Sequence, residues 1–264
     1  MSNNDIKVLM EFLSYPLDSG KDILNRFAGL PKSQANELPQ HKINTGNLLE
    51  QFVYIPGSRK NKVLLVAHAD TKWDKDYQYA SVTGNRFIID GKYVSSAGIG
   101  SDGRAGCAIL WLLREMGHSL LITNGEFGNW RKMIPSLSGS RWLKDRHPEI
   151  ADEMNRMHQF AVQFDCRNAT EFKCYEVGTA GFRQYIREET GYRDSGREGV
   201  KDITLVCSDI CGVNLSVGFD KENTSAEILN AEQWNNTLDL CREWLNEPDL
   251  PRFPLQNTIE GRFL

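Results

Sequence analysis

The apolar positions of this chain fall into short runs and helical stripes separated by polar turns. The run at residues 63–67, Val-Leu-Leu-Val-Ala, is continuous and free of charge. A run of that length suits a strand covered on both faces. It stops at His68, with Asp70 two places on. Further strands are expected at residues 47–55, 118–123, 160–164, 172–177, 202–207 and 213–217. Residues 86–89 and 93–94 read as a hairpin around Asp90-Gly91. Helical spacing puts Ile6, Leu9, Met10 and Leu13 on one face of residues 5–15. A second short helix is expected at 22–30. Ala105, Ala108, Ile109, Leu112, Leu113 and Met116 form one stripe, stopped by Gly117. Residues 182–189 and 225–245 complete the helices, the latter carrying Trp234, Leu238, Cys241 and Leu245 on one side.

Between these elements, residues 31–41 and 71–79 are polar and read as loops. Residues 127–157 read as an irregular cover bearing Trp130 and Trp142, with a helix near 149–157. The tail after Glu247 holds three prolines and is expected to lie extended over the surface. Strands alternating with helices predict an α/β fold: a mostly parallel central sheet with helices on both faces, as a single domain over residues 1–264.

Composition narrows the function classes. With 40% hydrophobic and 25% charged residues, the 264-residue chain is an ordinary globular protein. A net charge of -4 supplies no basic field for nucleic acid. No apolar run approaches a membrane span. The first residues lack a basic and apolar leader, so a cytoplasmic location is expected. None of the six cysteines forms a C-x-x-C pair, and they are expected to be reduced core residues. The absence of a G-x-S-x-G elbow excludes the serine hydrolases that use one.

The candidate chemistry lies where strands and a glycine-rich segment end in ligand-type residues: His68, Asp102, Glu126 and Asp165. In open α/β sheets, ligands bind at the carboxyl ends of the strands. Imidazole and carboxylate ligands suit zinc or manganese. Taken singly, each carboxylate is more commonly a helix cap or a surface ion pair, and Asp102 in particular could cap the helix that follows it.

Together with their flanks these residues resemble a family, the zinc exopeptidases with a co-catalytic metal pair. These are the leucyl-type aminopeptidases and the glutamate carboxypeptidase-like enzymes. The matching blocks are Val66-Ala-His-Ala-Asp-Thr71, Gly100-Ser-Asp-Gly-Arg-Ala-Gly106, Thr123-Asn-Gly-Glu-Phe-Gly128, Phe164-Asp165 and Asn214-Leu-Ser-Val-Gly-Phe219. The resemblance implies that His68, Asp102 and Asp165 hold one metal, that Asp102 bridges to a second, and that Asp70 orients His68. It also implies a general-base glutamate directly before a liganding glutamate, and a late histidine on the second metal. Here Glu126 stands alone between Gly125 and Phe127, as either base or ligand, and Asn223 falls at the histidine.

A metal-dependent hydrolase of peptide or N-acyl amide bonds is therefore expected, aminopeptidase-like and with at most one tightly bound zinc. Only about fifty residues separate Asp165 from Asn214, too few for the inserted lid or dimerisation domain of the larger relatives. The alternative is a pseudoenzyme that keeps the fold for binding. The expected partner is a peptide or acyl-amino-acid small molecule, with neither nucleic acid nor membrane.

Overall fold

The computed structural model describes residues 2–30, 41–43, 47–72, 88–95, 99–128 and 135–255. In chain order the strands are β1 (His41–Ile43), β2 (Phe52–Ile55), β3 (Lys62–His68), β4 (Ile88–Asp90), β5 (Tyr93–Ser95), β6 (Ser119–Thr123), β7 (His158–Cys166), β8 (Glu171–Lys173), β9 (Arg193–Asp194), β10 (Gly212–Ser216), β11 (Phe219–Asp220) and β12 (Ile228–Asn230). The α-helices are α1 (Asn3–Leu13), α2 (Gly20–Ala28), α3 (Ser101–Leu113), α4 (Ser138–Arg146), α5 (Pro148–Met157), α6 (Ala180–Thr190), α7 (Asp202–Val206) and α8 (Ala231–Trp244).

The main sheet has eight strands in the order β1-β2-β6-β3-β7-β10-β8-β9. Its centre, β6-β3-β7-β10, is parallel throughout. The antiparallel strands β2 and β8 flank that centre. As the apolar run implies, β3 lies inside the sheet and is buried along its whole length.

Side chains alternate across a strand, and the alternation divides the core in two. Val63, Leu65 and Ala67 join one buried cluster with Phe12 of α1, Phe27 of α2, Ile109 of α3, Ile186 of α6 and Trp234 of α8. Leu64 and Val66 join the other, with Leu143 of α4, Met154 of α5 and Ile203 of α7. The helices thus cover both faces.

Two ties close the fold over its own ends. The buried Arg104 of α3 donates to the carbonyls of Tyr15 (2.5 Å) and Pro16, holding the end of α1. Arg242 of α8 pairs with Asp5 of α1 at 2.7 Å.

Several elements depart from expectation. Residues 202–207 form helix α7 rather than a strand. Residues 127–157 are not wholly irregular, because α4 and α5 occupy 138–157. The strand expected over 172–177 ends at Lys173. The strand expected over 47–55 starts at Phe52, after a 3-10 turn at Leu48–Glu50. The helix expected from residue 225 begins at Ala231, where the Asn230 side chain accepts from the amides of Glu232 and Gln233. Residues 228–230 instead join a second sheet, ordered β11-β12-β5-β4, that contains the expected hairpin. The readings at 31–40, 73–87, 96–98, 129–134 and beyond 255 lie outside the described residues. Among the described residues, no helix is long and apolar enough to cross a membrane.

Candidate functional site

Three adjacent parallel strands, β6, β3 and β7, end at the same edge of the sheet. They deliver Glu126, His68 and Asp165 there, while α3 brings Asp102 in its first turn. A cavity of about 760 Å³ opens at this edge, lined by Asp102, Phe127, Asp165, Tyr175, Lys201 and Asn223 among others.

Backbone approach makes the cluster possible. A methyl group added at Gly103 would lie 2.6 Å from the His68 ring. At Gly106 it would lie 2.1 Å from the Phe164 carbonyl oxygen. These glycines let α3 pack directly on the ends of β3 and β7. The helix start is capped from elsewhere: the Glu227 carboxylate accepts from the amides of Gly100 (3.0 Å) and Ser101 (2.8 Å) and from the Ser101 hydroxyl. Burial, with Asp102 nearby, pushes the Glu227 carboxyl up to about 7. Asp102 is thus not the principal cap, although one of its oxygens accepts from the Gly103 amide.

His68 is fully buried. Its Nδ1–H donates to the Asp70 backbone carbonyl at 2.8 Å, which keeps a proton on that nitrogen. The Asp70 carboxylate stands farther away, at 3.6 Å, and accepts instead from the Glu126 amide at 3.1 Å. Asp70 therefore orients the imidazole chiefly through its main chain. The other ring nitrogen, Nε2, lies 3.4 Å from Asp165 Oδ1 and has no hydrogen-bond partner among the described residues. Burial disfavours the charged ring, yet Asp165, with help from Asp70 and Glu126, holds its pKa well above the usual value.

Asp165 is anchored on all sides. Its amide donates to Asn214 Oδ1 at 2.8 Å, and the Asn214 amide group donates to the Asp165 carbonyl and to the Tyr175 hydroxyl. Its Oδ2 receives Gln163 at 3.3 Å and the Lys201 ammonium at 2.6 Å. Burial would raise its pKa, but Lys201 and His68 outweigh that and keep the carboxyl ionised below its usual range. The same ammonium contacts Glu126 Oε1 at 2.8 Å, while Glu126 Oε2 has no partner among the described residues. Burial pushes Glu126 up to about 8 against the pull of Lys201, and pushes Asp102 up to about 6. Asp165 is accordingly the full counter-ion of Lys201, and Glu126 the more readily protonated partner.

Lys201 is a residue that sequence reasoning misses. Its place comes from α7: the buried Asp202 accepts from Thr123 at the end of β6 (2.9 Å) and from Ser140 of α4. A lone lysine in a polar stretch carries no local signal. The helical start at Asp202, an acid before a short apolar run, is the available hint.

The structure thus brings together all the expected residues, His68, Asp70, Asp102, Glu126 and Asp165, and adds Lys201. It also places Phe127 and Asn223 on the same cavity. The Phe127 ring stands edge-on to His68 at 5.8 Å. As arranged here, with Lys201 in place, no three histidine, cysteine or carboxylate side chains among the described residues gather closely enough to hold an ion. The oxygens best placed to do so are bound to an ammonium.

Compared by sequence, the chain matches no protein-family profile and no curated protein. Compared by fold, it is similar to the aminopeptidase PepT from Bacillus cereus, with a TM-score of 0.58 and 12% identity over 92% of this chain and 97% of that one. It is similar to the aminopeptidase APDkam598 from the archaeon Desulfurococcus kamchatkensis (TM-score 0.57, 12% identity, 98% of each chain). A glutaminyl cyclase from an Acidobacteriales bacterium is comparably similar (TM-score 0.56, 12% identity, 91% and 92%). At such identities the likeness establishes the α/β fold these proteins share, and one fold hosts more than one reaction.

Proposed function

We propose that this chain captures a peptide or an N-acylated amino acid in the cleft at the carboxyl ends of its parallel strands, and holds it without metal-assisted hydrolysis. The observation that carries this reading is the Lys201 ammonium, 2.6 Å from Asp165 and 2.8 Å from Glu126. By the resemblance, Asp165 would bind a metal and Glu126 would take a proton from water or bind the second ion. Both carboxylates are instead committed to an internal cation. The fold neighbours named as aminopeptidases support the ligand class. Phe127 and Asn223 support the rest: both face the cavity. With Glu126 in the position of the family's base, they are the residues that replace the second ion's ligands. The cleft belongs to a single domain without an inserted lid.

A second reading, a single-zinc peptide or N-acyl amide hydrolase, has its own support. His68 Nε2 is buried, unpartnered and 3.4 Å from Asp165 Oδ1. Two ligands about 2.0–2.1 Å from a tetrahedral zinc are separated by about 3.3 Å. This reading needs Asp102 to close the set and Lys201 to release Asp165.

One experiment separates the two. The purified protein is incubated with a panel of di- and tripeptides and N-acetyl amino acids, with added zinc or with chelator. Amine release and melting temperature are followed in parallel. The capture reading expects panel members to raise the melting temperature with no amine released in either condition. Zinc-dependent release of amine, abolished by the chelator, overturns it in favour of the hydrolase.

A further inference from the structure

We propose that Lys201 is the resident cation of this site and the residue that keeps a divalent ion out of it. The inference rests on the capture reading and deepens it, since it names the group responsible for the loss of metal chemistry.

The first argument is geometric. The ammonium bridges two carboxylates from different strand ends, at 2.6 and 2.8 Å. Those are charge-assisted contacts of full strength. A chance surface lysine does not reach such a position. The backbone of this one is held in place by the next two residues. Asp202 accepts from Thr123 and Ser140, and the Ile203 amide donates to Gln163 Oε1 at 3.2 Å. The other end of that same Gln163 amide donates to Asp165 Oδ2. One glutamine therefore fixes both the strand end carrying the carboxylate and the helix start carrying the lysine.

The second argument is charge. Asp102, Glu126, Asp165 and Asp202 are all buried at this edge. Buried carboxylates need paired positive charge or protonation. Arg167, Lys173 and Arg193 also line the cavity, but the ammonium of Lys201 is the cation in direct contact with both Asp165 and Glu126. The ammonium lies within hydrogen-bonding distance of both carboxylates, so its charge is paired rather than buried alone. A divalent ion entering beside it would meet both the repulsion of the ammonium and a carboxylate set already neutralised.

The third argument is the company Lys201 keeps. Phe127 and Asn223 line the same cavity, and neither offers a strong zinc donor. Their presence and the lysine's point the same way. A side chain that supplies its own charge removes the need for ligands to a second ion.

The test uses zinc alone as probe. Unmodified protein and Lys201→Met are dialysed against excess zinc, and bound metal is measured by elemental analysis. Melting temperatures are taken with and without zinc, and folding is checked by circular dichroism. The unmodified protein should retain only substoichiometric zinc, with no change in melting temperature. Lys201→Met should take up close to one equivalent and melt higher with zinc than without. Adding His68→Ala to that variant should abolish the uptake. The inference is overturned if the unmodified protein binds a full equivalent of zinc. It is equally overturned if Lys201→Met folds and binds no more than the parent. Should Lys201→Met not fold, Lys201→Gln is used in its place, and the same two outcomes decide. Amine release is not read here. Hydrolysis without bound zinc would therefore remove the capture reading and leave this inference standing.

Discussion

The two ends of the central strands carry the same kinds of residue to opposite effect. At the amino end, His158 donates through Nδ1 to the Met154 carbonyl at 2.7 Å and meets the Ser119 hydroxyl at Nε2, also at 2.7 Å. That hydroxyl accepts in turn from the Gly57 amide. His118 accepts the Val63 amide at Nδ1 and faces the Leu245 carbonyl at Nε2. Every ring nitrogen has a neutral partner, although Arg59 also stands 3.4 Å from His118 Nε2, and burial, helped by nearby cations, drives His158 down to about 3 and His118 to about 4. At the carboxyl end, His68 Nε2 has no hydrogen-bond partner among the described residues, and the nearby carboxylates raise its pKa against burial. The difference lies in whether each polar group finds a partner. A satisfied neutral histidine holds strands in register, whereas a charged cluster with unpartnered atoms trades stability for an ability to bind.

The largest expected effect that could break this contrast is in acid. The folded pKa values of His118 and His158 lie below the ordinary 6.5. Their contribution is therefore full above about 6.5 and is lost as the pH falls toward 4 and then 3. Each should remove on the order of 1.4 kcal/mol of unfolding free energy per pH unit within its window. Urea titrations between pH 7 and pH 4 measure this, and His158→Gln should flatten the slope. An unchanged slope in that variant would contradict the neutral, structural role.

Next in size is a pair of substitutions at neutral pH. His158→Ala takes one hydrogen-bond partner each from the Met154 carbonyl and the Ser119 hydroxyl and opens a cavity, and should cost about 2–4 kcal/mol in urea unfolding. Glu126→Gln keeps the shape and an acceptor for Lys201, and should change stability by less than about 1 kcal/mol. Equal losses in the two would erase the distinction between the ends.

The smallest effect probes packing against His68. Gly103→Ala puts a methyl group against the ring, and should cost about 1–3 kcal/mol. Gly181→Ala, in α6 where nothing lies within 4 Å, should gain up to about 1 kcal/mol. Thermal melts of the two variants should move in opposite directions.

Much of the fold is legible in the sequence where patterns are long. The apolar run of β3 and the stripe of α3 carry enough periodicity to fix their type, and the edge they share follows from parallel topology. Short segments are not legible. Asp202-Ile-Thr-Leu-Val is five residues of apolar and β-branched character, which reads as a strand until Ser140 and Thr123 hold Asp202 in place as the start of a helix. The start of α8 is readable in principle, since Asn230 is a good N-cap. The apolar residues before it mask the boundary. At the site, the sequence points to the carboxylates and to His68 because their types are distinctive. It cannot point to Lys201, whose importance is a matter of where α7 sets it down.

The clasp between Asp5 and Arg242 joins residues 237 positions apart. A chain made from its amino end therefore produces Asp5 long before its arginine partner exists. Phe12 of α1 meanwhile finds its ring partners much earlier in the chain, in Phe27 of α2 and Trp111 of α3. The Asp5–Arg242 pair can therefore form only after the apolar seat of α1 exists, and it fastens that helix to α8 as a late step of synthesis.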